Sequence, residues 1–140
     1  MKKQLITWQD VEHQVQEILR QMHCDQWMPD YVVGLTRGGL VPANMISQYL
    51  DIPMHTLKVK LRDHADTESN LWMAEDAFGS NETGGMNILI VDDINDSGAT
   101  LNWIKQDWQS SCLPYDERWL NDIWNVNVRI ATLFDNESSK

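Results

Sequence analysis

Ile88-Leu89-Ile90-Val91-Asp92-Asp93-Ile94-Asn95-Asp96-Ser97-Gly98-Ala99-Thr100 is the stretch on which the fold turns. With Asn87 before it, the opening run to Val91 is the most apolar in the chain. Its length and its bounding turn residues predict a buried strand over Asn87 to Val91. Two adjacent carboxylates, Asp92 and Asp93, follow at the strand's end. They repel each other unless something positive or rich in hydroxyls meets them. The Ser97-Gly98-Ala99-Thr100 turn then opens a helix predicted over about Ala99 to Trp108. A helix N-terminus presents unpaired N–H groups and the positive end of the dipole, which suits an anion. Gly98 permits close backbone approach, while Ser97 and Thr100 offer hydroxyls. The whole segment suits a ligand with a phosphate at one end and hydroxyls or a metal ion beside it.

Upstream, Tyr31-Val32-Val33-Gly34-Leu35 is a second short apolar run, read as a buried strand. Thr36-Arg37-Gly38-Gly39 breaks it, and Leu40 to Leu50 resumes helical spacing with Pro42 in the first turn. Thr7 reads as a helix cap with Asp10 three residues on. Trp8, Val11, Val15, Ile18, Leu19 and Met22 then form one apolar helix face. His55 to Leu61 alternates like a strand. Residues 62–86 are polar and turn-rich without clear periodicity, and are read as a long functional loop. Cys112 to Asn125 is read as a helix or connector, and Asn127 to Phe134 as a further strand.

Helix and strand alternate throughout. This predicts one α/β domain over residues 1–140, with a mainly parallel sheet flanked by helices. Ligands of such sheets sit beyond the carboxyl ends of the strands. Both Thr36 to Gly39 and Asp92 to Thr100 fall at such ends.

Charge narrows the partners. The 140 residues hold 21 acidic and 11 basic side chains, a formal net charge of −10. A duplex nucleic-acid binder needs a basic face, so nucleic acid is excluded as a partner. A phosphate-bearing ligand is itself anionic, so its site must be locally positive or hold a metal. No apolar stretch approaches the ~18 residues of a membrane span. The start lacks an apolar signal core, and Cys24 and Cys112 form neither a disulfide framework nor a metal-ligand spacing. Cytoplasmic localisation is the expectation.

The Ile88 to Thr100 stretch resembles the phosphoribosylpyrophosphate signature of type I phosphoribosyltransferases: four apolar residues, two acidic ones, a short connector, then Asp, Ser or Thr, Gly, a small residue and Thr. The resemblance implies that Asp92 and Asp93 hold the ribose hydroxyls and stabilise a positive, oxocarbenium-like transition state. It implies that Asp96, Ser97, Gly98, Ala99 and Thr100 wrap the 5′-phosphate, with Asp96 as general acid/base toward the purine N7. Tyr31 to Pro42 resembles the pyrophosphate loop of the xanthine–guanine subgroup, so Thr36, Arg37, Gly38 and Gly39 are implied to bind pyrophosphate, Arg37 through its planar fork. Leu61-Arg62-Asp63-His64 opens the region matching the family's flexible catalytic loop.

The resemblance therefore implies a purine phosphoribosyltransferase that uses phosphoribosylpyrophosphate and Mg2+, with Asp92 toward the metal, and that assembles as a homodimer or tetramer. A non-catalytic phosphoribosylpyrophosphate- or nucleotide-binding regulatory module is the alternative. Two positions depart from the pattern. Asn136 falls where the purine enzymes carry a base-contacting Lys, and no segment matches the family's C-terminal base-binding strand.

Several of these residues also have plainer readings. Asp92-Asp93 with Asp96 also gives the Asp-Asp-x-x-Asp spacing of prenyl-diphosphate enzymes. There the motif stands on a helix, whereas here an apolar strand precedes it. His13, His23 and His64 read as solvated, His55 as packed, and Trp103 and Trp108 as core or subunit-contact residues.

Overall fold

The computed structural model describes residues 7–35, 39–57, 71–79, 85–95, 99–111, 123–124 and 126–135. Helix α1 spans Trp8–Cys24 and strand β1 Tyr31–Leu35; α2 spans Leu40–Leu50 and β2 Met54–Leu57. Then follow α3 (Leu71–Phe78), β3 (Ile88–Asn95), α4 (Ala99–Ser111) and β4 (Val128–Asp135).

Local chemistry sets the ends of α1. The Thr7 hydroxyl accepts the Asp10 N–H at 3.1 Å while the Asp10 carboxylate accepts the Thr7 N–H at 2.9 Å, a reciprocal capping box. Those bonds hold the Asp10 carboxyl below its usual range. At the other end, Gln26 takes a left-handed φ of 55°. Its N–H reaches the His23 carbonyl at 3.1 Å and the Trp27 N–H reaches Met22 at 3.0 Å, which terminates the helix.

The four strands are all parallel, in the order β2-β1-β3-β4. Alternation divides their side chains between two cores. Val33, Leu35, Ile88, Ile90 and Val128 pack with Met73, Ala74 and Ala77 of α3 and with Ile104 and Trp108 of α4. Val32, Leu89, Val91 and Leu133 pack on the other face with Val15 and Met22 of α1 and with Ala43 and Ile46 of α2. The central strands β1 and β3 are thus covered on both sides, as their unbroken apolar runs require.

Sequence expectations and structure differ at three places. Strand β3 runs past Val91 to Asn95, because β4 continues to pair with it as far as Asn95 opposite Asp135. Asp92 and Asp93 therefore lie on the strand itself. Within the span read as a loop, α3 forms, because Met73, Ala74 and Ala77 recur at helical spacing and all three are buried. The Tyr31 hydroxyl secures it by donating to Asp76 at 3.0 Å, and burial with that bond raises the Tyr31 phenol pKa. Of the strand expected over His55 to Leu61, His55 to Leu57 lie on β2 and residues 58–61 lie outside the described residues. Trp8, the first residue of α1, is 60% exposed rather than part of the buried stripe.

The remaining aromatic assignments hold. Trp108 is fully buried, its ring 5.6 Å from that of Trp124. His55 packs edge-on against Tyr31 at 4.9 Å. Cys24 is an exposed free thiol. Among the described residues no helix is long and apolar enough to cross a membrane.

Candidate active site at the carboxyl ends of strands β1 and β3

Two crossovers leave the middle of the sheet in opposite directions. From β1 the chain passes through α2 to the outer strand β2, and from β3 it passes through α4 to the outer strand β4. Strands β1 and β3 are neighbours, with Val32 opposite Leu89 and Gly34 opposite Val91. Their carboxyl ends flank the point where the strand order reverses, which is where open α/β sheets form a ligand crevice. Strand β1 ends at Leu35 at this point, and the Asp92-Asp93 pair stands on the neighbouring strand β3.

Backbone bonds fix the β1 side. The Gly39 N–H donates to the Leu35 carbonyl at 2.9 Å, so the chain returns to the strand end it has just left. The Gly39 carbonyl then accepts the Ala43 N–H at 3.0 Å and starts α2. Gly39 is buried, and a side chain there would run into the Val91 carbonyl oxygen, the last peptide before Asp92. Gly39 is therefore seated directly on β3.

On the other side, Asp92 is half-buried and in register with Thr132 of β4. Strand alternation places both on the sheet face covered by α3 and α4, alongside Ile88 and Ile90. Ala99 and Thr100 are the first two residues of α4, so the free N–H groups of that helix begin where the sequence predicted an anion site. Asp93 is on β3 next to Asp92.

Of the residues assigned from sequence, Gly39, Asp92, Asp93, Ala99 and Thr100 come together at this one end of the sheet. Thr36, Arg37, Gly38, Asp96, Ser97 and Gly98 lie outside the described residues, as do Asn136 and Arg62 to His64. Thr132, beside Asp92 in the sheet, is a neighbour of the site that sequence reading did not single out. Its only signal is the β3–β4 register, which no local pattern contains.

A parallel sheet wound outward from its middle with helices on both faces is a doubly wound α/β fold, a class whose ligands bind at the switch point. The sequence model of the phosphoribosyl transferase domain matches residues 1–140, and the chain belongs to that family. It is 27% identical over 103 residues to a xanthine-guanine phosphoribosyltransferase of Idiomarina loihiensis, covering 72% of this chain and 62% of that protein. It is 42% identical over 76 residues to the enzyme of the same name from Cereibacter sphaeroides, covering 53% and 44% respectively. The matches thus span less than two thirds of these curated relatives' length.

Among solved structures, a purine phosphoribosyltransferase from Pyrococcus horikoshii superposes with a TM-score of 0.66 at 22% identity, covering 97% of this chain and 89% of that one. A xanthine-guanine-hypoxanthine phosphoribosyltransferase from Helicobacter pylori gives 0.62 at 19%, covering 96% and 78%. At these identities the likeness is one of fold.

Proposed function

We propose that this chain transfers the phosphoribosyl group of 5-phosphoribosyl-1-pyrophosphate to a purine base, with xanthine, guanine and hypoxanthine the candidate acceptors. The observation that supports this reading is the close approach of Gly39, the last residue of the segment that resembles a pyrophosphate loop, to the Val91 carbonyl immediately before Asp92. In the reaction a purine ring nitrogen forms a bond to the ribose C1′, the bond from C1′ to the pyrophosphate oxygen breaks, and pyrophosphate leaves with the electron pair. Asp92 and Asp93 orient the ribose hydroxyls and face the positive charge that develops at C1′. The N–H groups opening α4 receive the 5′-phosphate, Arg37 grips the pyrophosphate, and Asp96 exchanges the base proton.

Magnesium fits this donor set. It is commonly bound through one or two carboxylates together with substrate phosphates and water. Among the described residues no three-membered cluster of His, Cys, Asp or Glu forms a dedicated cage. Asp92 supplies the hard oxygen, and the ion offsets pyrophosphate charge when bound. It also reconciles an anionic substrate with a chain of net charge −10.

A homodimer or tetramer in the cytoplasm completes the proposal; light scattering of the purified chain reads the oligomeric state. The activity is tested by incubating the protein with magnesium, phosphoribosylpyrophosphate and each of xanthine, guanine, hypoxanthine and adenine, and weighing the products by mass spectrometry. A nucleotide together with one equivalent of pyrophosphate supports transfer and names the base. Binding of the sugar pyrophosphate without any nucleotide identifies a non-catalytic binding module instead.

A further inference from the structure

A hollow of about 730 Å³ opens between α1 and α2, with Leu19, Met22, Trp27, Met28, Tyr49 and Leu50 as its apolar lining. These residues come from the C-terminal half of α1, the connection into β1 and the last turn of α2. The hollow therefore stands at the amino ends of the strands, away from the crevice beside Asp92. Tyr49 is 74% exposed and Met28 56%. Interface centres are enriched in aromatic and methionine side chains and depleted of charged ones.

Charge selects the partner. Helix α2 is Leu-Val-Pro-Ala-Asn-Met-Ile-Ser-Gln-Tyr-Leu, without one charged or histidine side chain, and its outer face presents Val41, Asn44, Gln48 and Tyr49. Arg20 lines the hollow, but its guanidinium is already paired with the Glu17 carboxylate at 3.1 Å. An anionic ligand finds that cation taken, and a basic partner finds no carboxylate in the lining. Two copies of a chain with net charge −10 repel each other over most of their surface. A neutral apolar face is where they can meet without bringing acidic groups together.

Shape points the same way. A two-fold pair uses one patch twice, so that patch must carry both a projection and a recess. Tyr49 projects from the rim of the hollow that it helps to line, and one face thus carries both. We infer that this chain pairs with a second copy of itself through the hollow between α1 and α2, Tyr49 of each copy seated in the hollow of the other. The inference gives a surface to the assembly proposed above. It does not depend on the catalytic reading, because the crevice lies at the other end of the strands and stays uncovered.

The test is sedimentation velocity of the full chain from micromolar to submillimolar concentration, without substrate, on the wild type, Tyr49→Glu and Met28→Glu. Trp8→Glu is the control. It makes the same change of charge at an exposed apolar residue in the first turn of α1, whose 17 residues put it about 25 Å from the far end of that helix. The wild type shows a reversible monomer–dimer equilibrium. Tyr49→Glu raises the dimer Kd by about 30-fold or more, as loss of a central aromatic contact does, while Trp8→Glu leaves it within about twofold. Should Tyr49→Glu lower the Tm, Met28→Glu, which alters the connection into β1 rather than α2, is read in its place. Dilution of the isotope-labelled wild type shifts the amides of Leu19, Met28 and Tyr49. A wild type that stays monomeric throughout overturns the inference, as does a dimer that Tyr49→Glu and Trp8→Glu affect alike, or one whose dilution shifts lie on another face. A chain that dimerises here yet forms no nucleotide overturns the proposed function alone.

Discussion

Asp92 on β3 stands directly in register with Thr132 on β4, and both lie on the sheet face that α4 covers. The register sets a hydroxyl-bearing residue of the neighbouring strand beside the one whose carboxylate is proposed to serve ribose and metal. Asp92→Asn removes the charge while keeping the shape, and lowers kcat/KM by about 10²-fold through lost electrostatic stabilisation. Thr132→Val removes only a neutral hydrogen-bonding group and raises KM for phosphoribosylpyrophosphate by about fivefold. Steady-state kinetics at saturating base separates the two effects.

Tyr31 joins the sheet to α3. Its ring is buried and its hydroxyl donates to Asp76. Tyr31→Phe leaves a half-buried carboxylate without that donor, and lowers stability by about 1 kcal/mol in urea titration at neutral pH. The phenol is raised above its usual value of 10.0 by burial first and by the Asp76 bond second. Below about pH 10 the group is protonated whether the chain is folded or unfolded, and its contribution is complete. Above that pH the unfolded chain ionises first, so stability falls as pH rises. The wild type therefore loses stability above pH 10 more steeply than Tyr31→Phe, as alkaline melting curves will show.

Gln26 ends α1 in a left-handed conformation where glycine is the usual occupant. Gln26→Gly relieves the backbone strain but frees the unfolded chain somewhat. The net gain is about 0.5 kcal/mol, read as a higher urea midpoint at constant slope. Unchanged or lower stability would show that the Gln26 side chain contributes contacts that outweigh its backbone.

The capping box at the other end of α1 predicts both a stability loss and a titration. Thr7→Ala leaves the Asp10 N–H without its acceptor and lowers stability by about 1 kcal/mol. The Asp10 carboxyl is lowered by the Thr7 backbone bond first and the Thr7 side chain second. Its contribution is therefore complete above the ordinary aspartate pKa and is lost as pH falls through the lower folded value. NMR titration should place Asp10 below the usual aspartate range in the wild type and closer to it in Thr7→Ala.

Much of this architecture is legible in local sequence because its signals are local. The Tyr31 to Leu35 run, the Thr7 cap and the strand–turn–helix grammar of Ile88 to Thr100 each declare themselves within about a dozen residues. Strand order does not. That β1 and β3 are neighbours, and that Gly39 rests on Val91, follow from how two crossovers diverge. Gly39 enters the sequence reading only through the resemblance to a pyrophosphate loop; in the fold its missing side chain makes room for β3. Helix α3 escaped notice because two of its three buried contacts are alanines, Ala74 and Ala77, which add little to an apolar pattern. Trp8 misled in the opposite direction, since it fits the helical period yet stands at the exposed first turn.

The most direct measurement is a map of backbone amide shifts in the labelled protein as the magnesium complex of phosphoribosylpyrophosphate is added. The account predicts saturable shifts at Gly39, Asp92, Asp93, Ala99 and Thr100, around the carboxyl ends of β1 and β3. Asp30, Met86 and Val126, at the amino ends of the strands, should stay in place. Shifts centred instead on the roughly 730 Å³ hollow lined by Leu19, Trp27, Met28 and Tyr49, with the β1–β3 crevice silent, would contradict it.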